Sequence, residues 1–185
     1  MSLHADATRV LTQWAAPGQE ALRQGFLGFL AARPDAMARA CEPGHLTAST
    51  VVLDSDARHV LLTLHPRVGA WLQLGGHCER DPSLAEAALR EATEESGIPG
   101  LVLDPVPVRL DIHPITCSLG VPTRHFDVQY VAVAPAGATP VISSESADLR
   151  WWPVDALPDG TDVGAVVDAA VRRFWRVGGR AHIAR

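Results

Sequence analysis

The chain has 185 residues, 47% hydrophobic and 20% charged, with a formal net charge of -5. That length suits one domain able to bury a substantial core, and the acidic balance argues against a general nucleic-acid-binding surface, which would show as a basic patch or stripe. The cysteines, Cys41, Cys78 and Cys117, are odd in number and widely spaced, so they form neither a disulfide framework nor a zinc ligand pair. Free thiols in a reducing cytosol are expected. No stretch approaches the roughly 18 apolar residues of a spanning helix, and no basic segment followed by a long apolar run opens the chain. A cytoplasmic protein away from the membrane is the expectation.

Residues 1 to 44 read as a helical extension. Val10, Leu11 and Trp14 mark a short helix, Pro17-Gly18 breaks it, and Leu22, Phe26, Phe29 and Leu30 recur at the spacing of an amphipathic stripe. These helices are expected to pack on the main domain; the other reading is an arm joining two copies in a homodimer. From His45 the pattern turns to short strands. Leu46–Leu53 and Arg58–His65 flank the turn signal Asp54-Ser55-Asp56 and read as a hairpin. Trp71–Leu74 is a third strand running into Gly75-Gly76, and a helix is predicted over about Pro82 to Ser96, closed by Gly97. Val106–Ile115 alternates, with Val108, Leu110 and Ile112 on one face; His125–Val133 sets Phe126, Val128 and Tyr130 against His125, Asp127 and Gln129. Leu149–Trp152 is a last strand. Val163, Val166, Val167, Ala170, Val171 and Phe174 mark a terminal helix that Gly178-Gly179 ends.

The run Arg90-Glu91-Ala92-Thr93-Glu94-Glu95-Ser96-Gly97 compresses three carboxylates into five residues. On a helix Glu91 lies one turn before Glu94 and Glu95, at separations that bring side chains onto one face. Such carboxylates repel unless cations intervene. Hard cations such as Mg²⁺ take oxygen ligands and are commonly held by one or two carboxylates plus substrate phosphates. The constellation therefore points to phosphate chemistry, and metal ions would supply the positive charge that this acidic chain lacks.

In register with that cluster, Gly76 through Ile98 resembles the Nudix box: Gly, five residues, Glu, seven residues, Arg-Glu, an apolar residue, any residue, Glu-Glu, any residue, Gly and an apolar residue. Every fixed position matches except one, where Pro82 replaces the first Glu. Pro suits the first turn of a helix, so either Asp81 caps with Pro82 at the first helical position, or Ser83 caps with Glu86 closing a capping box. In the family the lost Glu is thought to orient the box arginine; Glu94 and Glu86, each one turn from Arg90, are substitute partners here.

The resemblance implies an α/β fold, an α/β/α sandwich over a mixed sheet, with residues 45–185 as the hydrolase domain. It implies a Mg²⁺-dependent hydrolase, Mn²⁺ serving as substitute, that cleaves a phosphoanhydride bond in a nucleoside diphosphate linked to another moiety. By the same resemblance the Gly76 carbonyl, Glu91, Glu94 and Glu95 hold metal, and Arg90, Glu91 and Glu94 serve catalysis. Glu145, in the loop before the last strand, is the candidate carboxylate from outside the box. Trp71 is a candidate for stacking on a base, and His77, His113 and His125 for binding phosphate or shuttling protons. Two other readings are a non-catalytic ligand-binding module of the same fold, and an isopentenyl diphosphate isomerase, whose essential cysteine Gly76-His77-Cys78 superficially resembles.

Overall fold

A computed structural model of the chain describes residues 1–116, 120–143 and 146–178. In chain order the elements are α1 (Leu3–Gln13), α2 (Glu20–Ala32), β1 (His45–Leu53), β2 (His59–Leu64), β3 (Trp71–Leu72), β4 (Leu74–His77), α3 (Leu84–Ser96), β5 (Val102–Thr116), β6 (Pro122–Val133), β7 (Asp148–Pro153) and α4 (Gly164–Gly178). The helices and strands fall where the periodicity predicts them, except that the strand expected over Trp71–Leu74 is two, β3 and β4, the second of which includes Gly75 and Gly76. The predicted hairpin forms, with Val52 opposite Leu61 and Leu53 opposite Val60.

The strands make one mixed sheet around β1, whose nine residues are all buried. β6 runs parallel to it, from His45 opposite His125 to Leu53 opposite Val133. Its other edge is shared: β4 pairs with Thr47–Thr50, and β2 with the end of the strand. The segment 71–77 thus crosses from β2, through β3, to β1, through β4. β7 covers the outer edge of β2, and β5 that of β6.

One face of the sheet carries α3 with α1 and α2; the opposite face carries α4. Leu46, Ala48, Val128 and Tyr130 pack with Leu84, Ala87 and Ala88 of α3 and with Leu11, Phe26 and Leu30 of the first two helices. Val51, Leu53, Val60, Leu62 and Val131 pack under Val163, Val166, Val167 and Ala170. Both faces of β1 and β6 are therefore apolar over their later halves, which is why their sequences lose strict alternation there.

The N-terminal helices pack on the sheet and on α3. Phe126 stacks on Phe29 at 4.1 Å and meets Phe26 edge-on at 5.3 Å. The Gln19 side chain accepts from the Leu110 N–H and donates to its carbonyl, both at 2.8 Å, so the link between α1 and α2 is tied to β5. Buried Asp6 accepts from the Leu84 N–H at 3.0 Å. A carboxylate from α1 thereby satisfies a donor at the start of α3, where negative charge is favoured.

One expectation about the strand faces changes. Val108, Leu110 and Ile112 do not share a face: Val108 packs with the α4-side cluster, Leu110 and Ile112 with the α3-side cluster. The pairing of β5 with β6 shifts register between Asp104 and Arg109, and an irregularity of that kind re-phases every side chain beyond it. Pro105 and Pro107 lie in it and lack ladder N–H groups. Asp127 and Gln129, on the polar side of β6, are buried between β1 and β5. Trp151 and Trp152 lie on opposite faces, Trp152 toward the α4 side and Trp151 toward the α3 side.

Candidate active site

The site is built where β4 ends and α3 begins. Ser83 is the N-cap of α3: its hydroxyl accepts from the Glu86 N–H at 3.2 Å and donates to the Glu86 carboxylate at 2.7 Å. Of the two capping arrangements the sequence allows, this is the one formed. Gly97 closes the helix at φ 63° and passes its N–H to the Thr93 carbonyl, a left-handed conformation that glycine adopts without a Cβ penalty. Thr50 Oγ1 on β1 donates to the Ala88 carbonyl at 3.0 Å and Ala88 is fully buried, so the helix lies tightly on the sheet.

Glu91 and Glu95, one turn apart on α3, both face the Gly75-Gly76 backbone. The Gly75 N–H donates to Glu95 Oε2 at 3.2 Å. A Cβ on Gly76 would lie 2.9 Å from the Glu91 carboxyl carbon, and one on Gly75 only 2.5 Å from the Ser49 Cα. Both glycines are therefore required by close approach, one of β4 to β1 and the other of β4 to a carboxylate. Glu94 sits differently: its side chain is 61% exposed and it pairs with Arg90 Nη1 at 3.0 Å.

Arg90 is the organising cation. Its Nε and Nη2 donate to Asp81 Oδ1 and Oδ2 at 3.0 and 2.8 Å, and Nη2 also reaches the His77 carbonyl at 3.1 Å and Glu91 Oε1 at 3.0 Å. The bidentate pair with Asp81 is the strong, planar kind of ion pair, and with Glu91 it raises the Arg90 pKa further above its ordinary value. Asp81 occupies the place expected of a glutamate at position 82. Of the substitutes the sequence offered, Glu94 does bind Arg90, whereas Glu86 turns to Ser83. The signal for Asp81 was present in the sequence as a carboxylate immediately before Pro82.

Cys78 is fully buried and its thiol donates to the Leu46 carbonyl at 3.4 Å; burial pushes it up to about 12. A thiol in that setting is inert rather than nucleophilic.

Beside the carboxylates, the first half of the sheet's α4-side face is polar. Asp127, wholly buried, accepts from Thr47 Oγ1 at 2.9 Å, Ser49 Oγ at 2.6 Å and Gln129 Nε2 at 3.2 Å, and burial raises its carboxyl above the usual range. His77 and His125 come together here with His45, a residue that sequence reasoning passed over. Burial lowers all three imidazoles, His77 to about 4 and His125 to about 3. His113 stands opposite His125 and pairs with Asp111 at 2.8 Å, which raises it. Trp71 belongs to the apolar cluster beneath α4, edge-on to Trp152 at 5.3 Å with the Arg150 guanidinium 5.8 Å from its ring centre. Glu145 and Cys117 lie outside the described residues.

The NUDIX domain family model matches residues 43–175, well over half of the chain. The chain belongs to the Nudix family. Among curated proteins it is 35% identical over 91 residues to the m7GpppN-mRNA hydrolase NUDT17 of Danio rerio, covering 44% of this chain and 30% of that protein. The chain thus spans under a third of that relative's length. Among solved structures, the E. coli dihydroneopterin triphosphate pyrophosphohydrolase superposes with a TM-score of 0.54 at 20% identity, over 69% of this chain and 95% of that one. The NUDIX domain of Shewanella oneidensis NrtR, complexed with ADP ribose, gives 0.53 at 23% identity, over 74% and 92%. At those identities the likeness is one of fold, and it agrees with the α/β/α sandwich described above. Among the described residues no helix is long and apolar enough to cross a membrane.

Proposed function

We propose that the protein is a Mg²⁺-dependent hydrolase that cleaves a phosphoanhydride bond in a nucleoside diphosphate linked to another moiety. One observation carries the reading: Glu91 and Glu95, a turn apart on α3, meet the Gly75-Gly76 backbone while Arg90 holds the intervening loop through Asp81. The donors available there are carboxylate and carbonyl oxygens, which suit a hard cation. Glu91, Glu95, the Gly76 carbonyl and, from the exposed side, Glu94 would hold Mg²⁺, with Mn²⁺ as a substitute. Bound there, the ion would neutralise diphosphate charge and acidify a coordinated water.

The chain's own contribution is positional. Arg90 fixes the loop 77–81 against the helix, which would hold Glu91 and Glu95 close to the Gly75-Gly76 backbone when substrate arrives. The relatives' printed substrates, an mRNA cap and dihydroneopterin triphosphate, and the ADP ribose bound to a third, are phosphoanhydrides attached to different groups. They support the bond cleaved and leave the attached group open. Trp71, with a cation over its ring, is the aromatic we assign to substrate, and Glu145 the carboxylate from outside the box. Residues 1–44 are read as an extension that braces α3 in a hydrolase domain of 45–185. The intact trio Glu91, Glu94 and Glu95 argues against a non-catalytic module, and the inert Cys78 against an isomerase that needs a reactive thiol.

The test is Glu95→Gln. With Mg²⁺ and a panel of nucleotide and nucleotide-sugar diphosphates, turnover should fall by about 10²–10³-fold, the scale of removing one preorganised electrostatic group, while the unfolding transition stays in place. Unchanged turnover would remove the metal assignment.

A further inference from the structure

We propose that His45, His77 and His125 form a second metal site, separate from the box carboxylates, which takes Zn²⁺ or a similar borderline transition-metal ion through three imidazole nitrogens. One nitrogen from each ring lies within 4.8 Å of the others. The ring centres are 5.1 Å apart for His45 and His77, 4.9 Å for His45 and His125, and 5.5 Å for His77 and His125. Zinc–nitrogen bonds of about 2.0–2.1 Å require nitrogens roughly 3.4 Å apart in a tetrahedron. Small rotations about χ1 and χ2 of the two less buried rings close that difference.

The polar bookkeeping points the same way. His45 is fully buried, and neither of its ring nitrogens has a hydrogen-bond partner among the described residues; the buried Nε2 of His125 also lacks one. A buried imidazole nitrogen with no partner is costly, and here one ring has both nitrogens in that condition and a second has one. Binding a cation through one nitrogen of each ring lowers that cost. The donors are all imidazole, which suits zinc and its neighbours, whereas the carboxylates on α3 suit magnesium. The two sites therefore select different ions although His77 adjoins Gly76 in sequence.

The backbone supplies rigidity. His45 on β1 stands directly opposite His125 on β6, and His77 on β4 is opposite Thr47, two residues along the same face. Three strands of the central sheet thus each contribute one ligand. His113, opposite His125 on β5 with its ring centre 5.3 Å away, is paired with Asp111. It stands beside the three rings as a neighbour and not as a ligand. On the other side Glu79 is already neutralised by Arg39 at 2.8 Å, so the surroundings add little net charge. This assigns His77 and His125 to an ion rather than directly to substrate.

The full-length protein, stripped with chelator and then titrated with Co²⁺ alone, tests the site by visible spectroscopy. The expected result is one equivalent with the intense d–d bands of a low-coordinate, nitrogen-rich site, displaced by Zn²⁺ and untouched by excess Mg²⁺. Glu95→Gln should keep these bands. His77→Gln and His125→Gln, at rings less buried than His45, should each lose them and weaken Zn²⁺ binding by more than about 100-fold, since loss of an outer-shell partner alone costs 10–100-fold. Circular dichroism on the same samples establishes that the variants are folded. A folded wild type giving only the weak bands of an all-oxygen site, or bands surviving in both folded histidine variants, would overturn the proposal.

Discussion

Replacing Asp81 with Ala removes the bidentate partner of Arg90, two hydrogen bonds of 3.0 and 2.8 Å donated by a guanidinium that is 35% exposed to a carboxylate whose side chain is 9% exposed. A hydrogen bond to a charged group contributes about 1.5–3 kcal/mol when its partner is lost. Water reaches Arg90 here, and Glu94, Glu91 and the His77 carbonyl still hold it, so the net cost should be about 1–2 kcal/mol. For a chain of this size each kcal/mol lowers Tm by about 2–4 °C, giving a fall of about 2–8 °C. Turnover should suffer more than stability, by about 10–100-fold, because the loop that follows β4 would no longer be held against the carboxylates proposed to bind metal. The double variant Asp81→Ala with Pro82→Glu returns the carboxylate to the position the Nudix box prescribes, and should recover much of the turnover. Differential scanning fluorimetry and Mg²⁺-dependent phosphate release measure the two effects. If Asp81→Ala alone melts within about 1 °C of the parent and keeps its turnover, Arg90 is not held by Asp81 and the reasoning fails.

Ser83→Ala removes the N-cap of α3 and should cost about 1 kcal/mol, read as a lower Tm, without changing the apparent affinity for Mg²⁺; a shift in metal affinity would mean the cap does more than hold the helix end. Glu145→Ala should weaken Mg²⁺ binding in a calorimetric titration by about 10-fold, and an unaltered affinity would return Glu145 to the ordinary loop residues. In chelator-treated protein, the pH dependence of Tm should carry the signature of His45, His77 and His125. All three are held below their ordinary value by burial, His77 to about 4 and His125 to about 3 from 6.5. The unfolded chain takes up protons first as pH falls below 6.5, so stability present above 6.5 is lost on the way down to these values. Asp127 and His113, both raised, act in the opposite direction. Comparing the parent with His125→Gln isolates the histidine contribution: the variant should show a shallower acid decline, and identical slopes would refute it.

Which strand residues would meet was only partly legible. The alternation of β6 was visible, and so was the polar character of His125, Asp127 and Gln129. Their burial was not, because it depends on β6 lying between β1 and β5 rather than at an edge. Val108 was assigned to the wrong face for a local reason that alternation cannot register, the register shift around Pro105 and Pro107. Trp71 is half-buried, one part of it packed against the apolar cluster beneath α4 and its ring facing the Arg150 guanidinium, a setting that pattern within the strand does not record. The role of Asp81 was hidden by the gap at Pro82, which drew attention one turn away along the helix instead of one residue back.

By itself the sequence determined the box helix, its glycine terminator and three carboxylates at helical spacing, and hence the family. These are local properties: helical spacing and a glycine terminator act within a few residues of one another. The tertiary structure decided the rest. It separated Glu94 from the pair that faces Gly75-Gly76, gave Arg90 its partner, packed α1 against the start of α3, and gathered His45, His77 and His125 from three strands. The contacts among the histidines and between α1 and α3 join residues 32 to 80 positions apart in the chain, and they follow from strand order and register, which no pattern within a single strand records.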